Sequence, residues 1–237
     1  DDYHGLAAIF ARVDMGDVVK PKPSGAVIHP KTLENASLRI PGNYTLDEST
    51  QDGRQNLTNW LTDADNPYFA KAIVNRLWKS MMGRGLVEPV DDFRDTNPAT
   101  HPQLLNLLAQ DFVSNGYQLK QTLRLIAMSN AYARSADATA ANKDDDKFYS
   151  HALREAIEPE VLADAIADVL GVSEKYGPNA NGTRAIELAN PKTPSRTLDV
   201  LGRCDRESSC ESEGAVAGGL PQKLHLFNGP LLNARIN

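Results

Sequence analysis

Asn66-Pro67-Tyr68-Phe69-Ala70-Lys71-Ala72-Ile73-Val74-Asn75-Arg76-Leu77-Trp78 opens a stretch that runs on through Gly83-Arg84-Gly85-Leu86-Val87-Glu88-Pro89-Val90-Asp91-Asp92-Phe93-Arg94 to Asn97-Pro98-Ala99-Thr100-His101-Pro102-Gln103-Leu104-Leu105. Its first part predicts a helix over residues 67–82. Ala70, Ile73, Val74, Leu77 and Met81 form one apolar stripe at helical spacing, and Trp78 widens it into the core. Asp65-Asn66-Pro67 starts the helix, with proline in the first turn, and Gly83 supplies the positive φ that ends it. A second helix is signalled by Thr100 and Gln103 at capping-box spacing, with Pro102 in its first turn. Leu104, Leu105, Leu107, Leu108, Phe112 and Val113 give it a buried face, and Asn115-Gly116 stops it. A third helix is expected from Leu119 to Ala133, carried by Leu119, Leu123, Ile126, Ala127 and Tyr132. Connections this short imply antiparallel neighbours.

The loop between the first two helices carries more charge than a connection needs. Asp91, Asp92, Arg94, Asp95, Asn97 and His101 fall within eleven residues. Paired carboxylates beside an imidazole could hold a divalent cation or perform acid–base work on a sugar. Their spacing matches no metal motif, so no metal ligand is assigned. On the helix before the loop, Asn75 and Arg76 lie at opposite edges of the apolar stripe, where both can reach inward. The structural reading is that Arg76 or Arg94 pairs with Asp91 or Asp92 and ties helix to loop, since a buried charge must be paired. Asn75, Arg76, Asp91, Asp92, Arg94, Asp95 and His101 are therefore the candidate polar site. Trp78 is expected in the core rather than on a ligand platform.

Upstream, Pro21, Pro23, Gly25, Pro30, Pro41 and Gly42 rule out long helices. The short β-prone pieces Val18-Val19, Ala26-Val27-Ile28 and Leu38-Arg39-Ile40 allow a small ribbon, or an extended linker. Leu57, Trp60 and Leu61 mark a helix beginning near Gly53. The chain begins at Asp1 without Met and enters the apolar Leu6-Ala7-Ala8-Ile9-Phe10, which reads as the end of a larger element. Downstream, Asp144-Asp145-Asp146 reads as a solvated turn. Glu158-Pro159-Glu160 starts another helix, which Val161, Leu162, Ala165, Ile166, Val169 and Leu170 carry to Gly171. Order then weakens. The fold class is mainly α: four to six packed antiparallel helices, an irregular N-terminal arm able to form a short β-ribbon, and a loop-rich C-terminal segment.

Composition excludes some functions. The 237 residues are 41% hydrophobic, enough for a sizeable core. A formal charge of -6 argues against a nucleic-acid partner, which a basic stripe would serve. No run of about 18 apolar residues exists to span a membrane. Neither a Gly-rich phosphate loop, a nucleophile elbow nor a His-Glu-x-x-His motif occurs, so no catalytic residue and no cofactor is assigned.

Residues 66–115, together with Gly202-Arg203-Cys204-Asp205-Arg206, Ser209-Cys210 and Gly218-Gly219-Leu220-Pro221-Gln222-Lys223-Leu224-His225-Leu226-Phe227-Asn228-Gly229-Pro230, closely resemble an uncharacterised planctomycete-specific domain family. Its members follow cytochrome-type domains in exported proteins. The resemblance covers roughly residues 45 to 237 and is most specific at 66–115 and 198–228. It implies that residues 1–20 are the tail of a preceding domain, 21–50 a proline-rich linker or ribbon, and 51–237 the helical domain, truncated at its C-terminus. It also implies a periplasmic or cell-surface location. In that setting Cys204 and Cys210, six residues apart, most simply close a small disulfide loop, with a reactive thiol served by His225 as the alternative. Many members space two cysteines by one residue near 210, whereas Ser212 holds that second place here. The family brings no established activity. The favoured function is an accessory or interaction module whose partners are neighbouring domains of the same polypeptide. The competing reading is a carbohydrate-directed enzyme or binding domain that uses loop 91–101 on a polysaccharide.

Overall fold

The computed structural model describes every residue except 1, 17, 41–43, 46–52, 67, 155, 180, 191, 204–218, 231–232 and 235–237. About 43% of the chain is helical and 5% strand, which makes the fold mainly α. Two compact units are present, Asp1–Leu153 and Arg154–Asn237. Among the described residues there are eight α-helices, more than the sequence pattern suggests.

The first unit opens with helix α1 (Asp2–Ile9) and a ribbon of β1 (Val13–Met15) paired antiparallel with β2 (Val19–Pro21). A second ribbon pairs β3 (Arg39–Ile40) with β4 (Tyr44–Thr45). The proline-rich arm thus forms two separate ribbons. Helix α1 lies against β3 at Gly5, where a Cβ would come within 2.4 Å of the Arg39 Cβ, so only glycine fits the approach.

Helix α2 spans Gly53–Leu61, and α3 spans Phe69–Met82. The start signal at Asn66 acts through its side chain, whose Oδ1 accepts from the N–H groups of Tyr68 at 2.9 Å and Phe69 at 2.8 Å. At the other end Gly83 takes φ +80 and returns its N–H to the Lys79 carbonyl. Helices α4 (Pro102–Ser114) and α5 (Leu119–Ala127) pack with α3 around a core that includes Val74, Trp78, Leu86, Val87, Leu108, Phe112, Ile126 and Tyr149.

Three local expectations fail. Leu107, placed on the buried face of α4, is 64% exposed. The third helix ends at Ala127 rather than Ala133, because the Ser129 hydroxyl accepts from the Tyr132 N–H and closes a turn that competes with the helix. The capping box at Thr100 does not form either. His101 precedes α4 without a side-chain cap, and the Thr100 hydroxyl donates instead to the Leu86 carbonyl at 3.2 Å.

The second unit holds α6 (Pro159–Leu170), a 3₁₀ turn at Ala185–Glu187, α7 (Arg196–Leu201) and α8 (Leu220–Asn228). Ser195 caps α7 by accepting from the Leu198 N–H at 3.1 Å. Ala163, Tyr176, Ala185, Leu198 and Leu201 make its core. No helix among the described residues is long and apolar enough to cross a membrane. Cys204 and Cys210 lie outside the described residues.

Candidate functional site

The polar loop after α3 is built around one side chain. Asn75 is fully buried, and its amide donates to the carbonyls of Val87 at 2.9 Å and Val90 at 2.8 Å, while its Oδ1 accepts from the Val87 N–H at 3.0 Å. Three of the four bonds an amide can make thus go to loop backbone. Leu86, Val87 and Val90 consequently turn inward and are buried. Gly85 makes room for this arrangement, since a Cβ there would strike the Val87 carbonyl at 2.3 Å and the Asn75 amide at about 3 Å.

Further ties fix the rest of the loop. Glu88 accepts from the Gly85 N–H at 2.9 Å and from Lys79 Nζ at 3.3 Å. The Asn97 amide donates to the Asp92 carbonyl at 2.9 Å, and the Thr100 N–H to that of Leu86 at 2.7 Å. Tyr149 closes the site from 64 residues away. Its hydroxyl donates toward the carbonyls of Gly85 at 2.7 Å and Arg84 at 3.0 Å, and its ring meets Trp78 edge-on at 5.5 Å. Burial pushes the Tyr149 pKa up and keeps the phenol a donor. Tyr149 holds φ +57, an uncommon conformation for a bulky residue. It sits inside a turn organised by Asp145, which accepts from the N–H groups of Lys147, Phe148 and Ser150. The Ser150 hydroxyl and these N–H groups hold the Asp145 carboxyl well below the usual carboxylate range. The acidic triplet is a turn, as its composition suggests, with Asp145 as its organiser.

The charged candidates separate into pairs. Arg76 grips Asp91 through Nε at 2.9 Å and through Nη2, and Arg94 meets Asp92 at 2.7 Å. Arg76 and Asp91 are each about half exposed, at 54% and 52% of the side chain. These are surface pairs, not the buried ones that the cost of an unpaired interior charge suggested. Asp95 is exposed and joins none of them. His101 sits apart from the pairs, its ring 5.9 Å from that of Tyr149 and 6.1 Å from that of Phe148, with Nδ1 3.2 Å from the Thr100 hydroxyl. No group of three or more His, Cys, Asp or Glu among the described residues is placed to hold a metal ion. Sequence reading missed Glu88 and Tyr149. Glu88 follows Gly85 at the three-residue spacing of a side-chain-to-backbone turn, which was a usable signal, whereas nothing local to Tyr149 points at Gly85.

The second unit has its own polar centre, also absent from the sequence reading. Asp164 is buried on α6 and accepts from the N–H groups of Ala185 at 2.7 Å and Ile186 at 3.2 Å. Arg184 reaches Asp164 at 3.5 Å and forks onto Asp168 at 3.2 and 3.0 Å. Nearby, burial first, then Glu174 and Asp164, push the Tyr176 hydroxyl up to about 12.

Fold and site together define a mainly helical domain whose most charged loop is braced from within. The chain belongs to the PSD1 family, described as a protein of unknown function (DUF1553), whose profile matches residues 53–237. No curated protein and no solved structure matches it.

Proposed function

We propose that this chain is an accessory or interaction module of a larger exported protein, in which residues 51–237 form the helical domain and neighbouring domains of the same polypeptide are the partners. The observation that carries this reading is the state of the loop after α3. Asn75, Glu88, Asn97 and Thr100 are bonded to its own backbone, and Asp91 and Asp92 are neutralised by Arg76 and Arg94. Groups committed in this way hold a surface in shape. A sugar-directed site would present them to a ligand. The family resemblance supports an exported setting, and that setting supports a disulfide between Cys204 and Cys210, which mass spectrometry of the unreduced protein checks.

The test is association. The chain is titrated with the separately expressed neighbouring domains of its full-length polypeptide, and in parallel with soluble polysaccharides, by calorimetry. Saturable heat with a neighbouring domain is expected. Saccharide binding that disappears in Asp91→Asn or Asp92→Asn while the thermal melt is unchanged would replace this reading with the carbohydrate-directed one.

A further inference from the structure

The outer face of α5 forms one wall of a groove of about 540 Å³, lined by Asp111 of α4 and by Lys120, Gln121, Arg124, Leu125 and Met128. Residues 120, 124 and 128, with 121 and 125 beside them, follow the four-residue spacing of one helical stripe, away from Thr122 and Ile126, which α5 buries. The stripe is both apolar and open. Leu125 is 47% and Met128 73% exposed. Its charges are unequal. The Asp111 carboxylate is engaged by the Asn115 amide at 3.0 Å at the end of its own helix. Lys120 and Arg124 are exposed, one turn apart, and neither is paired with a carboxylate among the described residues.

In a chain of formal charge -6, this is a concave apolar strip edged by two free cations. Exposed apolar area of this kind gains from being covered, and methionine adapts to the side chain that covers it. We propose that the groove docks an acidic amphipathic segment of a partner polypeptide, which sets apolar side chains on Leu125 and Met128 and carboxylates opposite Lys120 and Arg124. The proposal rests on the interaction-module reading and gives it a surface and a partner chemistry. A concave groove suits a helix or extended segment better than a flat bilayer.

The probe is a fluorescein-labelled peptide of about 18 residues, long enough to form a helix, with leucines at helical spacing and glutamates elsewhere, beside a twin with lysine for every glutamate. Fluorescence anisotropy is expected to show saturable binding of the acidic peptide that weakens as salt rises from about 0.05 M to about 0.5 M. The double substitution Lys120→Glu and Arg124→Glu is expected to weaken it about tenfold or more, and Met128→Asp to a similar degree. All three residues are exposed, so a circular dichroism melt matching the parent verifies the fold. Equal binding of the lysine twin, unchanged binding by the double variant, or capture by phosphatidylglycerol vesicles in place of the peptide overturns the proposal. Association of the double variant with the neighbouring domains at parental strength removes the groove and leaves the module reading standing. Absence of any association between the parent chain and those domains removes the module reading itself.

Discussion

Each of the two units fastens an irregular segment to a helix with one buried polar side chain, but the chemistry differs. In the first, the neutral amide of Asn75 both donates and accepts, so it can hold two carbonyls and one N–H at once. In the second, the carboxylate of Asp164 only accepts, and it holds two N–H groups at the start of the 3₁₀ turn. The amide can sit among Leu86, Val87 and Val90 with nothing to neutralise. The carboxylate is accompanied by Arg184, itself shared with Asp168 at the surface. A loop that must offer carbonyls inward calls for an amide, whereas a turn that offers N–H groups accepts an acid.

The sharpest way to break this contrast is to exchange the chemistry at the first site. Asn75→Asp keeps the shape but sets a carboxylate against the Val87 and Val90 carbonyls while Arg76 and Lys79 on the same helix already serve Asp91 and Glu88, and a loss of about 5 kcal/mol at neutral pH is expected. Urea unfolding measures it. A variant within 1 kcal/mol of the parent, on the order of a surface effect, would mean that the loop is held from elsewhere. Trp78→Ala comes next. The residue is 3% exposed and braces Tyr149, so about 3 to 5 kcal/mol should be lost. A thermal melt that matched the parent would return Trp78 to the surface and to a sugar-stacking role.

What could be read from the sequence follows the same division. Helices α3 and α4, the stop at Gly83 and the burial of Trp78 were legible because 3.6-residue periodicity and glycine's left-handed freedom are local properties. The pairing of Arg76 with Asp91 was legible because opposite charges stood at the edge of one stripe and in the loop that follows it. The roles of Tyr149 and Asp164 were not, since each acts on backbone 64 or 21 residues away and leaves no trace in its neighbours. Asn75 was seen at the edge of the stripe and proves to be its most buried polar residue. Periodicity places a side chain on a face but does not say which backbone will come to meet it.

For the second unit the expected effects are smaller. Asp164→Ala removes the acceptor from the buried Ala185 N–H while Arg184 keeps Asp168, so about 2 to 3 kcal/mol is expected. Hydrogen exchange should rise across residues 159–187, and unchanged protection there would show that the 3₁₀ turn holds itself. Tyr176 adds a pH dependence of definite sign. Its folded value of about 12 lies above the ordinary tyrosine value near 10, so the unfolded chain loses the proton first. Stability from this group is complete below about pH 10 and is lost as pH rises toward about 12. Tyr176→Phe should therefore flatten the alkaline fall in protection of residues 154–201. A variant with the parent's alkaline profile would assign that fall to another group.

The smallest effect belongs to the contact that looks strongest on paper. Arg76 holds Asp91 through two nitrogens, a geometry that gives charge-assisted bonds their best alignment. Both side chains are nevertheless half in water, where solvent screens the attraction and ordering two side chains opposes it. Loss of Arg76 in Arg76→Ala should cost about 0.5 to 1 kcal/mol, most of it gone in high salt, against several for Asn75 one residue earlier on the same helix. A double-mutant cycle with Asp91→Ala isolates the pair. A coupling of 2 kcal/mol or more, on the scale of a desolvated pair, would show that a partner or a closed loop shields it from water, and would move the stabilising centre of the first unit from the buried amide to the surface charges.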